Sequence, residues 1–169
     1  SRLILRVSTR VISIANQKGG VGKTTTAVNV AACLAAVGQR VLPFDLDPQA
    51  NATSGLGLEK LEGGSVYRPL LGDGTAEERI KEMAFPNLFV LPSEMDLCGA
   101  EVEMARAEDY LNRLRNILQP VRDSGKFELI LLDCPPSLSI LTLNAFSTAD
   151  RLLVPLQCEY YALEGVAMI

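Results

Sequence analysis

The chain is predicted to be an α/β protein, a mainly parallel β-sheet covered by helices on both faces in three αβα layers. Three observations predict it. Short apolar runs rich in Leu, Ile and Val recur at 40–46, 88–91, 129–132 and 152–156 without polar alternation, the pattern of parallel strands buried on both faces. Stretches of helical character separate these runs, so the connections read as βαβ crossovers. A glycine-rich turn, Lys18-Gly19-Gly20-Val21-Gly22-Lys23-Thr24-Thr25, stands between a predicted strand and a predicted helix, where backbone amides and the helix dipole favour an anion.

Residues 1–9 read as an N-terminal extension and 10–169 as one domain, a length that suits a single sizeable core. The first strand is 10–15. The helix that follows Lys23 places Ala27, Val30, Ala31 and Leu34 on one face, and Gly38 stands where it would be capped. A second strand spans 40–46. Between 58 and 86 the clusters Gly63-Gly64 and Gly72-Asp73-Gly74 bracket a short apolar stretch, which predicts an irregular excursion. After the strand at 88–91, residues 94–118 read as one helix with Ser93 as N-cap. Leu111, Leu114 and Leu118 share its face, and Pro120 ends it. The runs at 129–132 and 152–156 are the remaining strands. No internal repeat or low-complexity tract interrupts this order.

Composition narrows the chemistry. The net charge of −4 offers no overall basic footprint for nucleic acid, and Arg106, Arg113, Arg115, Arg122 and Lys126 are interleaved with acids as solvated charges. Histidine is absent, which excludes a Ser-His triad and imidazole metal sites. Cys33, Cys98, Cys134 and Cys158 form no C-x-x-C pair and read as reduced thiols, Cys98 and Cys134 as small buried side chains. No apolar run reaches the roughly 18 residues that span a bilayer, and the first residues lack a signal-peptide layout, so the cytoplasm is the expected compartment and no membrane contact is expected. Chemistry is left to Asp, Glu, Lys and hydroxyl groups.

In the glycine-rich turn, Lys23 would reach the β- and γ-phosphates of a nucleotide as a point charge, and the Thr24 hydroxyl would take a magnesium coordination position. The pattern G-x-x-x-x-G-K-[ST] would place glycine at position 17. This chain has Gln17 there, followed by a second lysine, Lys18. Asp133 follows an apolar run, so it would project from a strand end toward the loop and hold magnesium through a water, or else serve as a helix N-cap. Asp45 and Asp47 stand two residues apart at the end of the second strand. In extended geometry both point to one side, one for the metal and one for the water, the alternative being an Asp-Pro turn at Asp47-Pro48. Pro43 in the same strand removes one ladder bond, and the expectation is either toleration at a bulge or displacement of both carboxylates.

Four blocks together resemble the ParA/Soj chromosome- and plasmid-partitioning ATPases, the deviant Walker A group of P-loop NTPases. They are the segment from Lys18 to Thr24, Asp45-Leu46-Asp47-Pro48-Gln49-Ala50-Asn51, Asp133-Cys134-Pro135-Pro136-Ser137-Leu138, and the run from Gln157 to Gly165. The resemblance implies ATP and Mg2+ as ligands and a loop from Lys18 through Gly19, Gly20, Val21, Gly22, Lys23, Thr24 and Thr25 that holds the phosphates. It implies that Thr24, Asp45 and Asp133 serve the metal and that Asp47 positions the attacking water. Lys18 would be the signature lysine that crosses to the phosphates of the opposite protomer in an ATP-dependent homodimer, coupling hydrolysis to dimerisation. A centromere-binding ParB-type partner, non-specific DNA and a nucleoid-associated location in the cytoplasm follow from the same likeness. The family continues through further strands and helices, so the chain is expected to be incomplete at its C-terminus, with the main DNA-contacting residues outside it. Two other readings stay beside this one: a ParA-like regulator of division-site placement or cellulose biosynthesis, and a non-catalytic nucleotide-binding interaction module.

Overall fold

The computed structural model describes residues 8–158. Only Ser8 and Thr9 of the predicted extension, and only Gln157 and Cys158 of the last sequence block, fall within them. The elements run β1 (Arg10–Ile14), α1 (Lys23–Ala36), β2 (Val41–Asp45), α2 (Asn51–Gly55), α3 (Tyr67–Leu70), a 3-10 turn (Glu77–Arg79), β3 (Lys81–Glu82) and β4 (Phe89–Val90). Then follow α4 (Leu97–Met104), α5 (Arg113–Asp123), β5 (Leu129–Asp133), α6 (Ile140–Thr148) and β6 (Arg151–Leu153).

Four strands form one sheet in the order β2-β5-β1-β6, every pairing parallel, as the apolar runs predict. β4 flanks β2 through two parallel bridges, Val41 with Leu88 and Phe44 with Leu91, and carries β3 antiparallel on its other side. Pro43 explains why this contact is sparse. The amides of Val41 and Asp45 donate to the carbonyls of Asn87 and Leu91 at 2.9 and 3.0 Å, and proline midway between them has no N–H to give. The lost bond therefore lies on the β4 side. On the other side β2 keeps unbroken register with β5, from Val41 opposite Leu129 to Asp45 opposite Asp133, so Pro43 does not shift the carboxylates.

Side chains of the buried strands alternate between two cores. Val11, Leu42, Phe44, Ile130 and Leu132 pack with α4, α5 and α6, through Leu97, Met104, Leu114, Leu118 and Leu141 among others. Ile14, Val41, Leu129 and Leu131 pack against α1, whose Ala27, Ala31 and Ala35 form a fully buried stripe with Val30 and Leu34 at its edge. Helices thus cover both faces. Alanine at each i+4 step lets α1 lie close to the sheet, which brings its N-terminus to the ends of the central strands. At its other end Gly38 N–H bonds to the Ala35 carbonyl at 3.0 Å and Gln39 N–H to Leu34 at 3.1 Å, the paired closure that the position of Gly38 predicts.

Five expectations fail. The single helix at 94–118 is two, α4 and α5, separated by turns over 105–112. The break is held from α6: Asn144, fully buried, accepts from Leu114 N–H at 3.1 Å and donates to the Tyr110 carbonyl at 2.7 Å, while Ser147 donates to Leu111 at 2.6 Å. Ser93 does not cap a helix. Pro120 lies inside α5, whose Asn116 carbonyl loses its partner on an exposed stretch, and the helix runs on to Asp123. The run at 152–156 supplies a parallel strand, β6, but not a buried one: Leu152 is 45% exposed, because β6 pairs with β1 along one edge only among the described residues. Cys98 is exposed, leaving Cys134 as the one buried thiol of the four free cysteines. The excursion over 58–86 is irregular as expected, with only α3, one 3-10 turn and β3 in it.

Candidate phosphate-binding site

The register that pairs both Ile14 and Asp45 with Asp133 brings the C-terminal ends of β1, β2 and β5 to one edge of the sheet. The chain leaving β1 turns over this edge and enters α1. Gly20 and Gly22 take φ of 73° and 88°, left-handed values that a side chain would resist. Gly22 immediately precedes α1, and no side chain caps the helix, so its first-turn amides lack an internal acceptor. Around them the loop is braced. Lys18 N–H donates to Asn16 Oδ1 at 2.9 Å, Asn16 Nδ2 to the Pro155 carbonyl at 2.9 Å, and Gln157 Nε2 to the Gly20 carbonyl at 3.2 Å. Val21 is buried and anchors the loop as an apolar peg.

A cavity of about 420 Å³ opens beside this loop, lined by Gly19, Gly20, Gly22, Lys23, Thr24, Thr25, Asp47, Asn51 and Pro136. Seven of these are residues that the sequence singles out for phosphate and water. A Cβ built on Gly19 would meet no protein atom within 4 Å, and its φ is not left-handed. Nothing in the protein itself asks for glycine there, whereas close approach of an anion to the backbone does. Lys18 stands apart: its side chain is exposed and does not line the cavity, while its carbonyl accepts from Lys23 Nζ at 3.1 Å.

Asp45 and Asp133 are buried, 1% and 2% exposed, and do not line the cavity. The expectation that Asp45 and Asp47 share one orientation does not hold. Asp45 Oδ2 accepts from Thr53 N–H at 2.8 Å and Thr53 Oγ1 at 2.7 Å, and Oδ1 from Asp47 N–H at 3.1 Å, whereas Asp47 borders the cavity. The chain leaves extended geometry after Asp45, so the two-residue spacing no longer sets a common side. Burial pushes the Asp45 carboxyl up to about 6 against these stabilising bonds.

Asp133 is more exposed to electrostatic strain. Among the described residues neither of its buried oxygens meets a donor at full hydrogen-bonding geometry, although the Thr24 hydroxyl stands near enough to favour the charge. Burial raises its pKa to about 7, the neighbouring charges of Asp45 and Asp47 push the same way, and the Thr24 hydroxyl and the Lys23 ammonium hold it back. Lys23 is itself driven below the ordinary lysine range by burial, against the attraction of Asp133 and then Asp47. Two carboxylates, Asp133 and Asp47, therefore face one buried ammonium, and the charge of Asp45 acts on Asp133 from behind. A divalent cation beside Thr24 would supply the partner that the Asp133 oxygens lack, so these residues fit a magnesium ion. Among the described residues no group of three or more Cys, Asp or Glu side chains converges as a metal cage. That agrees with magnesium, which is held mainly by one or two protein oxygens, waters and substrate phosphates.

No motif in the sequence singles out Asn51, Pro136, Asn16, Thr53 or Gln157 as site residues, and Ser93 reads there only as a helix cap. Asn51, Pro136 and Gln157 lie inside the quoted sequence blocks, a usable signal. Thr53 and Ser93 carry none, because only tertiary packing brings them to Asp45.

The family described as AAA domain matches residues 9–169. The chain is 48% identical over 161 residues to the sporulation initiation inhibitor protein Soj of Bacillus subtilis, covering 95% of this chain and 63% of that protein. It is 45% identical to the chromosome partitioning protein ParA of Caulobacter vibrioides, with 95% and 60% coverage. A crystal structure of a cobyrinic acid a,c-diamide synthase of Mycobacterium smegmatis with a bound ATP analogue and magnesium superposes with a TM-score of 0.87 at 40% identity, covering 95% of this chain and 65% of that one. The chain spans about three fifths of the length of the curated relatives it matches.

Proposed function

The chain belongs to the AAA domain family and, within it, to the Soj and ParA partitioning proteins, and from that premise we propose an ATP-binding, ATP-hydrolysing dimerisation switch for the segregation of chromosomal or plasmid DNA. The observation that carries this reading is the buried Asp133, its two oxygens without a well-formed hydrogen bond among the described residues, beside Thr24 and Lys23 at the uncapped start of α1.

In this reading the amides from Gly19 to Thr25 cradle the phosphates, and Val21 pins the loop that carries them. Lys23 places its charge on the β- and γ-phosphates, which also relieves the burial of an ammonium among carboxylates. Thr24 and Asp133 hold Mg2+, with Asp45 adding a charge close enough to raise the pKa of Asp133 and so to attract the same cation. When bound, Mg2+ supplies charge neutralisation of the transferring phosphoryl group. Asp47, at the cavity wall, orients the attacking water. Lys18, exposed on the outer side of the loop, reaches the nucleotide of a second protomer and stabilises transition-state charge in trans, so that turnover requires the homodimer. A ParB-type partner that stimulates hydrolysis, non-specific DNA bound outside this chain, and a nucleoid-associated place in the cytoplasm complete the proposal. Relatives named for chromosome partitioning support it, and no helix of the described residues is long and apolar enough to cross a membrane.

Pro43 is one of the two grounds for the non-catalytic alternative, the expected incompleteness of the chain being the other, and the unbroken register of β2 with β5 weighs against the first. The test is the mass of the full chain by light scattering with and without Mg-ATP. ATP is expected to give a dimer that Lys18→Gln abolishes and Asp47→Ala prolongs. ATP binding without dimerisation would overturn the switch.

A further inference from the structure

Four residues that no sequence motif groups together form a closed hydrogen-bonded circuit behind the cavity. Asp47 N–H donates to Asp45 Oδ1 at 3.1 Å, and Asp45 Oδ2 takes the Thr53 hydroxyl at 2.7 Å. The Thr53 hydroxyl in turn accepts from Ser93 N–H at 2.9 Å, and the Ser93 hydroxyl returns to the Asp47 carbonyl at 2.7 Å. Thr53 and Ser93 are fully buried or nearly so, at 0% and 1% exposure. The backbone of residue 47 is therefore held by two side chains, Asp45 on its N–H and Ser93 on its carbonyl beside the Ala50 amide, and the Thr53 hydroxyl joins the two. The Asp47 carboxylate, by contrast, is directed to the cavity wall, with Gln49 N–H on its Oδ1 at 2.9 Å.

The anchor of this circuit is itself immobilised. Ser93 is followed by Glu94, buried, whose carboxylate accepts from Gly63 N–H at 2.6 Å and Ser65 N–H at 3.2 Å, tying the irregular 58–86 excursion to the same point. A loop that needed only to turn after β2 could leave the groups of residue 47 to water. Here two buried, fully bonded hydroxyls hold them instead, which fixes the direction from which the Asp47 side chain leaves the backbone.

We infer that Thr53 and Ser93 are positioning residues for Asp47, acting through Asp45 and the backbone of residue 47 to aim its carboxylate at the water that attacks the nucleotide. This rests on the hydrolytic reading above and extends it to two residues outside the phosphate loop. Thr53 has a double part, since its one hydroxyl both donates to Asp45 and accepts from Ser93. Misplacement of a reacting group by about 1 Å can cost on the order of 100-fold in rate, so loss of either hydroxyl is expected to fall in the range of about 10- to 100-fold.

The experiment is steady-state ATP hydrolysis by the full chain, with ATP affinity measured separately by a fluorescent analogue and folding by thermal melting. Thr53→Val and Ser93→Ala are each expected to lower kcat about 10- to 100-fold while KM and analogue affinity stay within about threefold. Thr53→Ser, which restores the hydroxyl, is expected to recover most of kcat. The double variant should lose little more than the worse single one, because both break one circuit. Folded variants that hydrolyse ATP within twofold of wild type overturn the inference. So does a parallel loss of kcat, affinity and melting temperature that Thr53→Ser does not reverse, which marks a purely structural role. If Thr53→Val does not fold, Ser93→Ala, which leaves Asp45 and Thr53 paired, decides the matter alone. A wild-type protein that binds ATP without turnover refutes the hydrolytic reading and this inference with it, whereas an active wild type with indifferent variants refutes this inference only.

Discussion

Replacing Asp133 by asparagine should stabilise the nucleotide-free protein at alkaline pH while removing its response to magnesium. The folded carboxyl titrates near 7, against an ordinary value of 3.8. Three units correspond to about 4 kcal/mol at about 1.4 kcal/mol per unit. The sign follows from the raised value. Well below pH 3.8 both folded and unfolded forms are protonated and no penalty exists. As pH rises toward 7 the unfolded chain releases this proton while the folded one retains it, so stability falls and levels off above about pH 8. Asp45, pushed up to about 6, adds to the loss in the same direction over a slightly lower window. Asparagine removes the charge but keeps a buried polar group, so roughly half of the penalty, about 2 kcal/mol, should be recovered. For a chain of this length that is a rise in Tm of about 4–8 °C at pH 8 in EDTA, shrinking to nearly nothing at pH 4. Differential scanning calorimetry of wild type and Asp133→Asn at both pH values measures it. Adding Mg-ATP should then raise the wild-type Tm far more than that of the variant. An asparagine variant no more stable than wild type at pH 8, or one equally stabilised at both pH values, would refute the idea of an uncompensated charge awaiting a cation.

Other outcomes follow from single residues. Gly19→Ala should leave the apo melting temperature unchanged, since its Cβ meets no protein atom, yet weaken binding of an ATP analogue at least 10-fold by fluorescence titration; unchanged affinity would remove the argument for close phosphate approach. Asn144→Ala should lower stability by about 2–3 kcal/mol, because the Leu114 amide and the Tyr110 and Ile140 carbonyls lose a buried partner, and chemical denaturation reads it directly. Pro43→Val should restore a donor on the β4 side of β2, changing stability by no more than about 1 kcal/mol and hydrolysis by less than twofold; a larger change in turnover would show that the proline does bear on Asp45.

The parts of the site that could be read from residues alone share one property: their chemistry is local. The glycines at 20 and 22, the lysine and threonine after them and the helix they open are set within ten residues, so spacing suffices to predict them. Buried parallel strands are equally legible, because a sheet covered on both faces demands unbroken apolar runs, and β2 and β5 meet that demand up to their terminal aspartates. The 94–118 segment shows the limit. Its helical character is real, but Asn144 and Ser147, about thirty residues away, decide where it breaks. A break made by a distant side chain leaves no mark in the segment itself.

Asp45 and Asp47 divide along the same line. Their residue types and their place at a strand end came from the sequence, together with the α/β class, the phosphate loop and the partnership of Asp133 with it. That Asp45 is turned to Thr53 while Asp47 borders the cavity was decided by packing, through hydroxyls from α2 and from the chain after β4. Periodicity and spacing report which groups a segment can offer to a face. Which way a buried carboxylate finally points depends on the donors that surround it, and those are assembled only when remote segments fold together.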